Sequence, residues 1–187
     1  MPGIDETRQF VPLKIAVLTV SDTRDLADDK SGATLIERIR AAGHIVAERA
    51  IVQDDVTAIR QRVQAWIADT FIDVVITTGG TGFTGRDVTP EAVEPLFEKK
   101  MDGFSTMFLL VSAKKIGTSA VQTRATAGVA NATYIFCLPG SPGACKDAWD
   151  EILLQQLDYR YRPCNFVEIL PRLDEHLRRP KAKGATA

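Results

Sequence analysis

Small hydroxyls, closely set glycines and carboxylates cluster in four short segments of this 187-residue chain: Ser21-Asp22-Thr23, Asp54-Asp55, Thr78–Asp87 (TGGTGFTGRD) and Pro139–Pro142. Glycine-rich turns and helix starts carry backbone N–H groups that are unpaired and partly positive, so a set of this kind suits an anion, phosphate above all. Carboxylates beside a phosphate cradle make sense when a divalent cation lies between them, since Mg2+ is typically held by one or two carboxylates plus phosphate oxygens and water. Asp54 and Asp87 are the pair this chemistry would use. Structural roles stay open for both: Asp54 or Asp55 as a helix cap, Asp87 as a partner of Arg86 or another neighbour. Asp22 is equally open, as a turn residue or as a ligand to a hydroxyl.

Two phosphate-loop patterns nearly fit the third segment, and each fails at the residue that gives it a mechanism. Gly80, Gly82 and Gly85 match G-x-G-x-x-G, but the next helix signal, Thr89-Pro90, comes several residues later. The helix–phosphate contact of a nicotinamide-dinucleotide site is therefore missing. Gly80 and Gly85 also match G-x-x-x-x-G-K-[ST], but Arg86 and Asp87 fill the last two places, and an Asp in the cradle repels phosphate. No Ser or Cys has a histidine near it in sequence, and His44 and His176 lie away from the four segments and read as structural. Chemistry here would rest on electrostatics and positioning, which suits phosphoryl or nucleotidyl transfer.

The elements between these segments explain how they would meet. Lys14–Val20, His44–Val52, Ile72–Thr78 and Thr133–Leu138 are apolar, β-branched runs and read as buried strands. Lys30–Ala42 has helical spacing at Leu35, Ile36 and Ile39, with Gly43 as its stop. Val56–Ala68 sets Ile59, Val63, Trp66 and Ile67 on one face. Thr89-Pro90 reads as a cap followed by proline at the first helical position, opening a helix to about Phe97. A further helix runs through Phe104, Met107, Phe108 and Val111. Ser141-Pro142 repeats the cap signal before a helix carrying Ala148, Trp149, Ile152 and Leu153. Strand–helix alternation of this kind predicts a three-layer, Rossmann-like α/β/α fold around a mostly parallel sheet. Right-handed crossovers then bring all four segments to the carboxyl edge of that sheet, where ligands bind in open α/β folds.

Composition bounds the rest. Lys+Arg total 23 against 24 Asp+Glu, a net charge of −1, without the basic excess of a nucleic-acid binder. Three cysteines, none in C-x-x-C spacing, predict reduced thiols and a cytoplasmic protein with neither disulfide framework nor zinc knuckle. The apolar runs around Ile15–Leu18 and Phe108–Val111 are too short to span a bilayer, so no membrane partner is expected. Residues 1–12 read as a flexible N-terminus, 13–166 as the folded domain, and 167–187 as an extension ending in a solvated basic tail with Arg178, Arg179, Lys181 and Lys183.

SDT at Ser21–Thr23, TTGGTGFTGRDVTPEA at Thr77–Ala92, GTSAVQTRATAGVAN at Gly117–Asn131 and LPGSPGAC at Leu138–Cys145, in this order, closely resemble the MogA/MoaB family of molybdenum-cofactor biosynthesis proteins. The likeness spans about residues 12–166, and RPCNF at Arg162–Phe166 resembles the MoaB branch. It implies trimers, or hexamers built from them, and Mg2+- and ATP-dependent adenylylation of molybdopterin with release of pyrophosphate. The product would pass to a molybdenum-insertion protein. By the same resemblance Gly79, Gly80, Thr81 and Gly82, with Thr78 leading into them, would cradle substrate phosphate. Asp54 and Asp87 would be catalytic, holding Mg2+ or orienting phosphates. Ser21, Asp22 and Thr23 would line the pocket, and Pro139, Gly140 and Ser141 would add amides and a hydroxyl. Arg124 would contact phosphate or serve an interface or structural ion pair. The MoaB-type ending leaves a second reading, a non-catalytic molybdopterin-binding or scaffold protein. Ile169, Leu170, Leu173 and Leu177, beyond the family core, would pack at a subunit contact.

Overall fold

The structure, a computed structural model, describes residues 2–176. In chain order its elements are β1 (Gly3–Ile4), β2 (Lys14–Val20), α1 (Lys30–Ala41), β3 (Ile45–Val52), α2 (Val56–Ala68), β4 (Val74–Thr78), α3 (Thr89–Val93), β5 (Lys99–Lys100), α4 (Asp102–Ile116), β6 (Thr126–Ala130), β7 (Thr133–Leu138), α5 (Pro142–Ala148), α6 (Leu154–Gln156), β8 (Tyr161–Arg162) and α7 (Phe166–Ile169). A π turn, Trp149–Leu153, joins α5 to α6.

Six strands form one sheet in the order β3-β2-β4-β7-β6-β5. The first four are parallel, with Val17 opposite Ile76 and Ile76 opposite Phe136, whereas β6 runs antiparallel to β7 and β5 antiparallel to β6. The period-two alternation of the central strands divides them between two cores. Ile15, Val17, Val74, Ile76, Tyr134 and Phe136 pack with Leu35 and Ile39 of α1, Phe104 and Phe108 of α4, and Trp149. Ala16, Leu18, Val75, Ile135 and Cys137 pack with Ile59, Val63 and Trp66 of α2 and Ala92 and Val93 of α3. The three-layer fold with a mostly parallel sheet is as the sequence predicts.

Three local features differ from the sequence reading. Thr89 is not a cap: Val88 holds that place without a side-chain bond, and α3 stops at Val93, continuing as a 3-10 turn over Glu94–Leu96. The TRATAGVA segment, which shows no strand-like apolar run, forms β6 because β7 and β5 pair with it on both sides. Residues 2–12 are not a loose end: Gly3 and Ile4 pair with Arg162 and Tyr161, and the Arg8 guanidinium lies 3.7 Å from the centre of the Tyr159 ring.

The start of the C-terminal extension closes on its own domain. Phe166 packs against Tyr134 with ring centres 5.0 Å apart, Val167 is buried, and Leu170 and Leu173 lean on the first core. Ile169 is exposed. Leu177 and the basic tail, Arg178, Arg179, Lys181 and Lys183, lie outside the described residues.

Candidate functional site

Parallel pairing brings the loops after β2, β3, β4 and β7 to one edge, around a cavity of about 640 Å3. Its lining contains Ser21, Thr23, Asp54, Gly79, Gly80, Thr81, Gly82, Asp87, Pro139, Gly140 and Ser141. Two sequence-predicted site residues are not in that lining. Thr78 is fully buried beneath the cavity, where its Oγ1 donates to the Pro139 carbonyl at 2.9 Å and ties β4 to the last loop. Asp22 stands beside the cavity, accepting the Asp54 N–H at 3.2 Å and pairing with Arg86.

The glycine loop is set by close approach. Gly79 has φ +105° and lies so near β2 that a Cβ would come 2.3 Å from the Val20 carbonyl oxygen. Gly80 has φ +64°, and a Cβ there would meet Thr89 Oγ1 at 2.4 Å and Asp54 Oδ1 at 3.2 Å. The loop's carbonyls are taken: Thr89 Oγ1 donates to Gly79 O at 2.8 Å, and Thr89 N–H donates to Gly80 O at 2.9 Å. The N–H groups of Gly80 and Thr81 meet no acceptor among the described residues. Open amides beside a cavity are anion donors. At the last loop, Ser141 caps α5 by accepting Ala144 N–H at 3.2 Å.

The acids divide as follows. Asp55, not Asp54, caps α2, accepting Ala58 N–H at 2.8 Å. The Asp54 carboxylate forms no ion pair and accepts from no side chain among the described residues; its hydrogen bond comes from the Asp22 backbone N–H. Burial pushes its pKa up and the negative Asp22 and Asp87 add to the rise, against weaker opposition from the Asp22 hydrogen bond and Arg86. Asp87 goes the other way. Burial pushes its carboxyl up, but the Thr84 hydroxyl and amide at 2.6 and 2.8 Å, the Gly82 amide and nearby Arg124 outweigh that and leave it below the usual range. Two neighbouring carboxyls driven apart in this manner are typical of functional sites. Among the described residues no cluster of three or more His, Cys, Asp or Glu could hold a metal alone. A cation here would need ligand oxygens as well, the habit of Mg2+.

Arg124 reaches this edge because β6 is antiparallel, which puts the start of that strand beside the ends of its parallel neighbours. Its backbone N–H donates to Thr81 O at 3.0 Å, Nε to Gly82 O at 2.8 Å and Nη2 to Asp87 O at 2.8 Å, and Nη1 pairs with Glu91. Of its expected roles, phosphate contact, interface or structural ion pair, the last is seen within the chain, where Arg124 clamps the glycine loop. Arg24, Gln122 and Thr123 also line the cavity and were not among the predicted residues. Arg24 directly follows the SDT segment, so adjacency was a usable signal; Gln122 and Thr123 depend on the unrecognised β6. A neighbouring cavity of about 590 Å3 between α3 and α4 is lined by Thr123 and Arg124 and, Arg124 apart, by none of the predicted site residues. His44 is buried away from this edge, its Nδ1 accepting Leu13 N–H at 3.1 Å, and His176 lies near Glu98 at 3.7 Å.

Residues 16–159 match the family described as "Probable molybdopterin binding domain". The chain belongs to this family. Among its relatives, molybdenum cofactor biosynthesis protein B of Escherichia coli K12 is 51% identical over 158 residues, covering 84% of this chain and 93% of that protein. The Bacillus subtilis protein of the same name is 41% identical over 163 residues, covering 86% and 96%. A crystal structure of a molybdenum cofactor biosynthesis protein B superposes with TM-score 0.81 at 37% identity, covering 90% of this chain and 99% of that one. The tungsten cofactor synthesizing protein MoaB of Pyrococcus furiosus superposes with TM-score 0.64 at 36% identity, covering 76% and 91%. This family member therefore sits with molybdenum-cofactor biosynthesis proteins of the MoaB/MogA kind in sequence and in fold. Among its described residues no helix is long and apolar enough to cross a membrane.

Proposed function

We propose that this protein adenylylates molybdopterin, using ATP and Mg2+ and releasing pyrophosphate, in the cytoplasm. The observation that carries the reading is the pairing of open Gly80 and Thr81 amides with an Asp54 carboxylate that forms no ion pair among the described residues. Such a floor accepts a polyanion that arrives with a divalent ion. An oxygen of the pterin's terminal phosphate forms a bond to the α-phosphorus of ATP. The α–β bridging P–O bond breaks, and its electron pair leaves with pyrophosphate. The Gly80 and Thr81 amides hold phosphate oxygens, and the Ser21 and Ser141 hydroxyls border the same cavity. Asp54 and Asp87 would hold Mg2+, which when bound neutralises phosphate charge and orients the reacting oxygens. Positioning and electrostatics of this kind suffice for transfer at phosphorus. Handover of the product to a molybdenum-insertion protein follows from the reading.

Self-association as a trimer or hexamer is part of the proposal and rests on α4, whose Met107, Leu109, Leu110 and Ile116 are exposed while Phe104 and Phe108 face the core. A helix apolar on both faces suits burial on both.

Purified protein with ATP, Mg2+ and molybdopterin should release pyrophosphate, and omission of the pterin should abolish it. Asp87→Asn should remove turnover and spare pterin binding; an unchanged rate would end the catalytic assignment. Saturable pterin binding without pyrophosphate at any ATP concentration would leave the non-catalytic binding or scaffold role.

A further inference from the structure

Three arginines stand around the cavity, and the fold uses each differently. Arg124 is committed to the Gly82 and Asp87 carbonyls and to Glu91. Arg86 pairs with Asp22 and does not line the cavity. Arg24 lines it and has no carboxylate partner among the described residues. Its Nη1 donates to Ser31 Oγ at 3.1 Å and to the Gly140 carbonyl at 3.3 Å, while Nε and Nη2 donate to nothing in the described chain.

The backbone under this side chain is fixed, because Ser21 Oγ accepts the Arg24 N–H at 3.3 Å. The tether through Gly140 places the guanidinium beside the glycine loop, since a Cβ at Gly140 would lie 3.1 Å from the Gly79 Cα. No other lysine or arginine lines the cavity among the described residues, and its other charged lining residues are Asp54 and Asp87. A phosphate group entering there meets two carboxylates and one guanidinium. A guanidinium carries five N–H donors in a fork that fits phosphate.

We infer that Arg24 is the anion-anchoring residue of this cavity, its Nε and Nη2 donors taking a phosphate group of the ligand while Nη1 stays on Ser31 and Gly140. This rests on the reading of the cavity as a phosphate-ligand site. The chemistry is shared by the triphosphate of ATP and the phosphate monoester of the pterin, and separate titrations tell them apart.

Wild-type protein, Arg24→Gln and Arg24→Lys are titrated calorimetrically with Mg-ATP and, anaerobically, with molybdopterin, at two salt concentrations. Melting temperature and wild-type pyrophosphate release are measured alongside. Arg24→Gln should weaken at least one ligand by about tenfold or more and flatten its salt dependence, at unchanged melting temperature. Arg24→Lys should recover part of the affinity, since it keeps the charge and loses the fork. Loss confined to one ligand identifies the phosphate that Arg24 holds. Wild-type affinity of Arg24→Gln for both ligands would overturn the inference and leave the adenylylation reading untouched. A loss that tracks a lowered melting temperature and is not recovered by lysine would overturn it too, making Arg24 a loop tether. Binding without turnover in the wild type would end the adenylylation reading and leave Arg24 in place, and binding of neither ligand would end both.

Discussion

Arg124 and Asp87 meet through the backbone: Nη2 of the arginine donates to the Asp87 main-chain carbonyl at 2.8 Å, while the Asp87 carboxylate accepts from Thr84. Arg124 thus fixes where Asp87 stands without itself occupying the carboxylate oxygens.

Arg124→Lys keeps the charge but not the planar fork that serves Gly82, Asp87 and Glu91 together. Pyrophosphate release should fall about tenfold or more, as expected when a reacting group is displaced. Amide hydrogen exchange over residues 81–87 should quicken. Unchanged exchange would show that the loop does not need the clamp.

Asp54 and Asp55 are adjacent and should fail in different ways. Asp55→Ala removes the α2 cap and should cost about 1 kcal/mol in urea unfolding, with Mg2+-dependent ligand binding intact. Asp54→Asn should abolish that dependence and leave the melting temperature equal or higher. It removes a charge that burial, Asp22 and Asp87 all disfavour. A carboxyl raised in the fold costs stability as pH climbs through its pKa, so the gain from Asp54→Asn should appear on the alkaline side.

His44 makes the protein sensitive to acid. Burial lowers its pKa from 6.5 to about 4, opposed by the negative Asp158. As pH falls below 6.5 the unfolded chain takes the proton first, so stability drains between that value and about 4. The loss is about 3 kcal/mol at full extent. Urea midpoints measured from pH 7 to pH 4 should follow it, and His44→Asn, whose Oδ1 can accept the Leu13 N–H, should flatten the curve.

Leu110 is half exposed on α4. If copies of the chain assemble through that face, Leu110→Glu buries an unpaired carboxylate at the contact and should yield monomers in sedimentation velocity, with an unchanged circular dichroism spectrum. The same sedimentation profile as wild type would remove α4 from any interface.

Lys14–Val20, Val74–Thr78 and Thr133–Leu138 were legible as strands because a buried parallel strand must be apolar along its whole length, and Ser141-Pro142 was legible because capping chemistry is local. Those elements sufficed to place four loops on one edge, so eleven of the thirteen residues expected at the site line its cavity. Contacts between residues distant in sequence were not legible. Thr89 has the spelling of a cap, yet its hydroxyl holds Gly79 because close approach of the glycine loop gives it a carbonyl instead. Thr78 reads as part of the cradle, but strand burial turns it beneath the floor. That Arg124 reaches the glycine loop and clamps it depends on β6 running antiparallel. That direction follows from the two-residue turn Asn131-Ala132, both at positive φ, which folds β6 back on β7 as a hairpin; that Thr126–Ala130 is a strand at all rests on this pairing and on distant β5, which its own small residues do not encode.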